Sequence, residues 1–303
     1  MTRPDSHTQN ELLASLKCEV KLPKDLRSLQ SEYLNAKPYP HLVLDNLFSM
    51  AALEGVLAEM PDWNSKTLVH QREDYLTKAS LRSAVDMGDR TFEFVSAIHS
   101  APFLYLMSQI TAVEALLPDP YMTGAGLTIM PEGGRFDIHA DRNTDHYCGL
   151  RRRLVMLIYL NKEWSPDFGG QLELWDSAAT ACQKAVTPEF NRVVLFEVAD
   201  TSLHAVRPIT KGSGRVRRSL TVYYHTVDSQ IVLHNSIYAP KYLQKKEPFL
   251  RRATREVLPP FVYRLAKRVI RGEGLRGSNP RCTARYRLPP HEQYLRPRKS
   301  ICQ

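Results

Sequence analysis

Little in this chain would support a covalently stapled or membrane-embedded architecture. Its 303 residues include only five cysteines, at positions 18, 148, 182, 282 and 302, an odd and widely spaced set with no C-x-x-C pair. Neither a disulfide framework nor a closed structural zinc site is expected from it. The longest clean apolar run, Leu154 to Leu160, is short; a membrane-spanning helix needs roughly 20 such residues. The N-terminal stretch has no apolar core of the kind a secretory signal carries, so a cytoplasmic location is expected. Internal repeats and low-complexity tracts are lacking too. With 43% hydrophobic and 24% charged residues, wholesale disorder is excluded.

Positive charge is present but unevenly spread. From Leu250 to Gln303 there are fourteen Lys or Arg and three Glu, a net +11 within a whole-chain charge of +9. The basic character therefore belongs to a tail, which also holds six of the twenty prolines. Within it, Phe261 to Arg271 alternates apolar and cationic residues as a short amphipathic helix would after Pro259-Pro260. That segment could touch an anionic surface, or pack on the rest of the protein with a solvated basic face. Nucleic acid is disfavoured as a partner, because the charge lies outside the core and no aromatic-rich basic strand accompanies it.

The first half of the chain reads mainly as helix. Asn10 to Lys17 is a short candidate; Ser49 is placed as an N-cap for Met50 to Met60. Ser100 with Pro102 opens another helix, expected to run to about Leu117. The second half changes period. Ala125–Met130, Leu154–Leu160, Gln171–Trp175, Arg192–Glu197, Leu203–Pro208 and Arg217–His225 are short apolar or β-branched segments separated by Gly- and Pro-containing turns. The order implies an α+β fold with a sandwich or barrel core. Leu154–Leu160 is apolar on both faces and is expected at the centre of the sheet.

His139-Ala140-Asp141 is the one H-x-D in the chain. On a strand the two side chains point the same way and can share a metal ion. His204 supplies a third ligand from another strand. Two imidazoles and one carboxylate with the remaining positions open make the facial triad of non-haem Fe(II) oxygenases. Thirteen residues on, Arg217, Ser219 and Thr221 share one strand face. A guanidinium there can bind a distal carboxylate, with Ser219 or Thr221 adding a hydrogen bond. Arg218 is its adjacent rival, expected to face the other way. Asp145 and His146 follow the motif closely but fall in a loop; Asn143 is a candidate for the substrate mouth. Arg151-Arg152-Arg153 either faces that mouth or forms a solvated turn, and the sequence does not choose.

With these residues in register, the chain resembles the 2-oxoglutarate- and Fe(II)-dependent dioxygenases, and most closely their prolyl 4-hydroxylase-like group. The likeness runs from PYPHLVLDNLF through LIYLNKEWSPDFGGQLELW and PEFNRVVLFEV to RRSLTVYY, roughly Lys37 to Thr226. It implies a double-stranded β-helix (jelly-roll) core with N-terminal helices packed on it. By the same resemblance, residues 1–36 are an N-terminal helical extension, 37–228 the dioxygenase domain and 229–303 a basic C-terminal extension. His139, Asp141 and His204 would ligate Fe(II), and Arg217 would bind the C5 carboxylate of 2-oxoglutarate, with Ser219 beside it. Tyr159 resembles a tyrosine that hydrogen-bonds the same carboxylate in some relatives. O2 would be the second co-substrate, and ascorbate is a candidate auxiliary reductant.

The implied reaction converts 2-oxoglutarate to succinate and CO2 while a substrate C–H bond is hydroxylated. The carboxylate ligand Asp141 favours hydroxylation over halogenation. A prolyl or other peptidyl substrate is one expectation; a small molecule, lipid or saccharide is the alternative. A non-enzymatic jelly-roll scaffold with an anion-binding tail is the contrasting class.

Overall fold

The computed structural model describes residues 19–119, 121–145, 147–227 and the backbone of 237–239. All of them lie in the unit Met1–Gln244. The candidate helix at 10–17, His146 and the basic segment 261–271 lie outside the described residues. Among the described residues, no helix is long and apolar enough to cross a membrane.

Ser49 caps helix α2 (Met50–Ala58), its hydroxyl accepting from the Ala52 N–H at 3.3 Å. Asp25 caps α1 (Leu26–Asn35) in the same way, a start that the sequence reading passed over. Helix α3 (Asp89–Ile98) precedes α4, which opens at Ala101 with proline in its first turn and closes at Thr111. The expected run to Leu117 is six residues too long. Ala112 adopts φ 58°, a left-handed cap that ends the helix.

The expectation of a mainly helical first half is corrected in one further respect. That half also contains three strands: β1 (His41–Asp45), β2 (Val69–Glu73) and β3 (Leu76–Leu81). Each is completed by a partner elsewhere in the sheet. They are short, and β2 is exposed along most of its length, so local apolar alternation is weak.

The remaining strands are β4 (Gly126–Met130), β5 (Phe136–Ala140), β6 (Arg151–Tyr159), β7 (Leu172–Trp175), β8 (Cys182–Val186), β9 (Arg192–Glu197), β10 (His204–Val206), β11 (Arg217–Thr226) and β12 (Ile237–Ala239). All pair antiparallel in the order β1-β9-β6-β11-β4-β3-β5-β10-β7-β8, with β2 on β3 and β12 on β5. The fold is α+β, with a nearly closed, jelly-roll-like antiparallel barrel and flanking helices.

β6 and β11 lie mid-sheet, as the two-sided apolar run predicts. On β11, Leu220, Val222 and Tyr224 are buried on the face opposite Arg217, Ser219, Thr221 and Tyr223. Tyr224 donates to the Ile98 carbonyl at 3.0 Å and tilts against Phe103, which ties α3 and α4 to the outside of the barrel. The other face of the strand is thereby left for the interior.

A polar clamp joins helix and sheet at Asn191. Its Nδ2 donates to the Phe48 carbonyl at 2.7 Å and its Oδ1 accepts from the Phe48 N–H at 3.2 Å, while its own φ is 61°. Asn tolerates that backbone better than Ala. Asn191→Ala is expected to destabilise the protein by about 2–4 kcal/mol, through two orphaned buried backbone groups and a strained φ. Urea unfolding checks this.

Candidate active site

The barrel encloses a cavity of about 300 Å³ lined by strands from both sides. β5 and β10 are paired with His139 opposite His204. Their ring centroids are 4.2 Å apart. Asp141 follows β5 directly, with Oδ1 3.6 Å from His139 Nε2 and Oδ2 3.8 Å from His204 Nε2. Ligand atoms of all three lie within 4.8 Å of one another, the separation one metal ion needs.

The backbone fixes which nitrogens face inward. His139 Nδ1 lies 2.7 Å from the Asp137 carbonyl and His204 Nδ1 3.0 Å from the Ser202 carbonyl. A carbonyl only accepts, so each Nδ1 carries the proton and each Nε2 lone pair points at the shared position. Phe136 stacks on His139 at 3.6 Å and Phe196 meets His204 edge-on at 4.9 Å, which holds the rings in place. Burial, reinforced by His204, lowers the His139 pKa to about 3, so this imidazole is neutral at physiological pH. Burial pushes the Asp141 carboxyl up, but His204, His139, Arg152 and the Tyr223 hydroxyl together hold it below its ordinary value. Tyr223 donates to Asp141 Oδ2 at 3.0 Å and fixes the carboxylate's orientation.

Arg217 enters the same cavity from β11 and is 2% exposed. Its Nε donates to the Gly170 carbonyl at 2.9 Å, and its guanidinium lies 4.9 Å from the centre of the Tyr159 ring. Gly170 has φ 71°, and a Cβ there would stand 3.2 Å from both Arg217 Cδ and Trp164 Cζ2. The DFGG turn is therefore a seat for the arginine. Arg218 leaves on the other face, donating to the Val216 carbonyl at 3.3 Å.

Ser219 sits opposite Tyr159 across the β11–β6 ladder. Arg217 Nη2, Tyr159 OH and Ser219 Oγ are all buried without a hydrogen-bond partner among the described residues. No carboxylate among the described residues pairs with Arg217. Three orphaned donors and an unbalanced buried cation are costly unless an anion completes them. The group fits a distal carboxylate, and the triad nearby fits the metal-chelating end of the same dicarboxylate.

The arginine triplet divides. The β11–β6 register shifts between Tyr224 and His225, so that His225 faces Arg152 and Arg153 is passed over. Arg152 turns inward, 4.2 Å from the Tyr223 ring centre, and pairs with Asp145 at 3.3 Å. Arg153 turns away to Glu197 at 3.4 Å. Asp145 is held by the N–H groups of Tyr147 and Cys148 and groups with Asp119 and His225, not with the triad. Asn143 is absent from the residues lining the cavity, whereas Arg142 is among them. Sequence reasoning missed Tyr223, Gly170 as the arginine's seat, Lys78 and Arg82. Only Tyr223 carried a signal, two residues beyond Thr221 on the same strand face.

Residues 125–225 match the family model of the 2OG-Fe(II) oxygenase superfamily. Prolyl 3-hydroxylase OGFOD1 of Mus musculus is 25% identical over 182 residues, covering 58% of this chain and 31% of that protein. Prolyl 3,4-dihydroxylase OGFOD1 of Ostreococcus tauri is 24% identical over 226 residues, covering 68% and 41%. The chain thus spans less than half the length of these relatives. A Pseudomonas putida prolyl-4-hydroxylase structure aligns with TM-score 0.50 and 19% identity over 67% of this chain and 100% of its own, a likeness of fold. The matched segment, a third of the chain, contains the H-x-D pair, the second histidine and the buried arginine within one barrel, and over it the chain is similar to the 2OG-Fe(II) oxygenase superfamily, on a fold like that of a prolyl-4-hydroxylase.

Proposed function

We propose that this protein is an Fe(II)- and 2-oxoglutarate-dependent dioxygenase that hydroxylates a C–H bond. The observation that carries the reading is the pairing, in one cavity, of a three-ligand metal position with a buried arginine whose neighbouring donors lack partners. His139, Asp141 and His204 would hold the iron, and Arg217, Tyr159 and Ser219 would hold the distal carboxylate of 2-oxoglutarate. When bound, the metal and co-substrate supply O2 activation coupled to release of succinate and CO2. The chain's own contribution is positional. The Asp137 and Ser202 carbonyls orient the imidazoles, Tyr223 orients the carboxylate, and the apolar walls at Leu157, Leu172 and Val206 limit water.

A peptidyl prolyl substrate is the first class to test, because the mouse and algal relatives carry prolyl hydroxylase names. In this reading the oxygenase domain is residues 37–228, with 1–36 and 229–303 as extensions. Ascorbate serves as auxiliary reductant, the basic tail meets an anionic surface, and the protein acts in the cytoplasm. A bare scaffold gives no reason to keep a buried cation with orphaned donors.

Anaerobic addition of Fe(II) and 2-oxoglutarate is expected to produce the visible charge-transfer band of a chelated complex. His204→Ala and Asp141→Ala should each abolish it; a normal band in either variant, with the protein folded, overturns the ligand assignment. Arg217→Ala should raise the 2-oxoglutarate concentration for half-formation of that band by about tenfold or more while iron binding persists. Gly170→Ala should shift it in the same direction by less, since its Cβ crowds Arg217 Cδ at 3.2 Å. Unchanged saturation in both variants would move the anchor elsewhere.

A further inference from the structure

The cavity carries more positive charge than the proposed chemistry uses. Five cations line it, Lys78, Arg82, Arg142, Arg152 and Arg217, against one carboxylate, Asp141. A divalent ion and a dicarboxylate, added to Asp141 and Arg217, leave that inner set neutral. Arg152 is balanced by Asp145. Of the other three, Arg142 has a partner of its own, whereas Lys78 and Arg82 have no carboxylate within ion-pair distance among the described residues.

Both line the cavity that holds the triad. Lys78, on β3, places its ammonium 5.3 Å from the centre of the Phe136 ring, the ring that stacks on His139. Arg82 follows the same strand. Its Nη2 donates to neutral Gln71 at 2.7 Å, and its Nε is buried without a partner among the described residues. Desolvation, then the neighbouring Arg82, lower the Lys78 pKa to about 8 against an upward pull from Asp141, and Arg217 and Arg152 add smaller downward pushes. Like charges crowded into a half-buried wall repel one another, and an anion between them removes the penalty.

We infer that the substrate is an organic anion, bearing a carboxylate or phosphate that Lys78 and Arg82 grip while the carbon to be oxidised faces the triad. This rests on the oxygenase reading for the chemistry, but the anion site stands on Lys78 and Arg82 alone. It separates substrate recognition from co-substrate recognition: Arg217 serves the dicarboxylate, Lys78 and Arg82 the substrate.

The test titrates the full chain, with and without Fe(II) and 2-oxoglutarate, with N-acetylated dipeptide amides in which Glu, phosphoserine, Gln or Lys precedes proline, and with inorganic phosphate and acetate as minimal probes. Calorimetry should show the acidic dipeptides binding about tenfold or more tightly than the Gln form, with the Lys form weakest. The ratio of phosphoserine to Glu, and of phosphate to acetate, tells phosphate from carboxylate preference. Lys78→Met and Arg82→Met should each remove the acid preference and Lys78→Arg should restore it, with 2-oxoglutarate saturation of the charge-transfer band unchanged in all three. Equal binding of Glu and Gln forms overturns the proposal, as does a Lys78→Met protein whose lesion is a raised 2-oxoglutarate requirement. Because the acid preference is measured without cofactor as well, a missing band counts against the oxygenase reading and a missing preference against this one.

Discussion

His204 faces His139 across the β5–β10 ladder, and the chemistry available to this protein depends on that register. Side chains alternate along a strand, so a slip of one residue would turn an imidazole out of the barrel and leave a two-donor site. The register is held from outside the triad. The Leu203 carbonyl accepts from the Tyr39 hydroxyl at 3.0 Å and from the Trp175 N–H at 2.8 Å, which pins the start of β10 to β7 and to the segment that leads into β1. With β10 fixed, the Nδ1–carbonyl bonds aim both Nε2 atoms at one point, and Asp141 completes the set.

The opposite wall is organised by burial of charge. Arg217 could not sit at 2% exposure in an apolar barrel without cost, and the structure offsets only part of it, through the Gly170 carbonyl and the Tyr159 ring. The unfinished part is directional: Nη2, the tyrosine hydroxyl and Ser219 Oγ remain for a ligand. Helices α3 and α4 matter here because they cover the far face of β11. They let its apolar residues be buried outward while the polar ones face in, so a single ten-residue strand is both core and binding wall.

The sequence disclosed the parts whose signal is local. The H-x-D pair, the two-sided apolar run of β6 and the alternation on β11 are patterns of a few residues, and each stands where it was expected. β1 and β3 escaped notice because their pairing is with strands far along the chain, β1 with β9 and β3 with β4 and β5, and β2 because its exposed residues show no apolar alternation. Lys78 and Arg82 escaped with them. On and just after an unrecognised strand they are two ordinary cations, and only the nearly closed barrel reveals that no acid among the described residues meets them.

Arg151-Arg152-Arg153 shows why alternation alone could not decide a case. A regular strand would send Arg151 and Arg153 to one face and Arg152 to the other. The register shift near the start of β6 instead sets Arg152 beside Tyr223 and Arg153 against Glu197, although Val155 and Leu157, of the same parity as Arg153, line the cavity. That irregularity builds a chain of contacts, Asp145 to Arg152 to Tyr223 to Asp141, that ends on the carboxylate of the triad. Asp119 and His225 lie beside its outer end. The orientation of one ligand is thus set by a loop aspartate on the far side of an arginine. The sheet's departure from regular pairing is what allows that loop to reach the site.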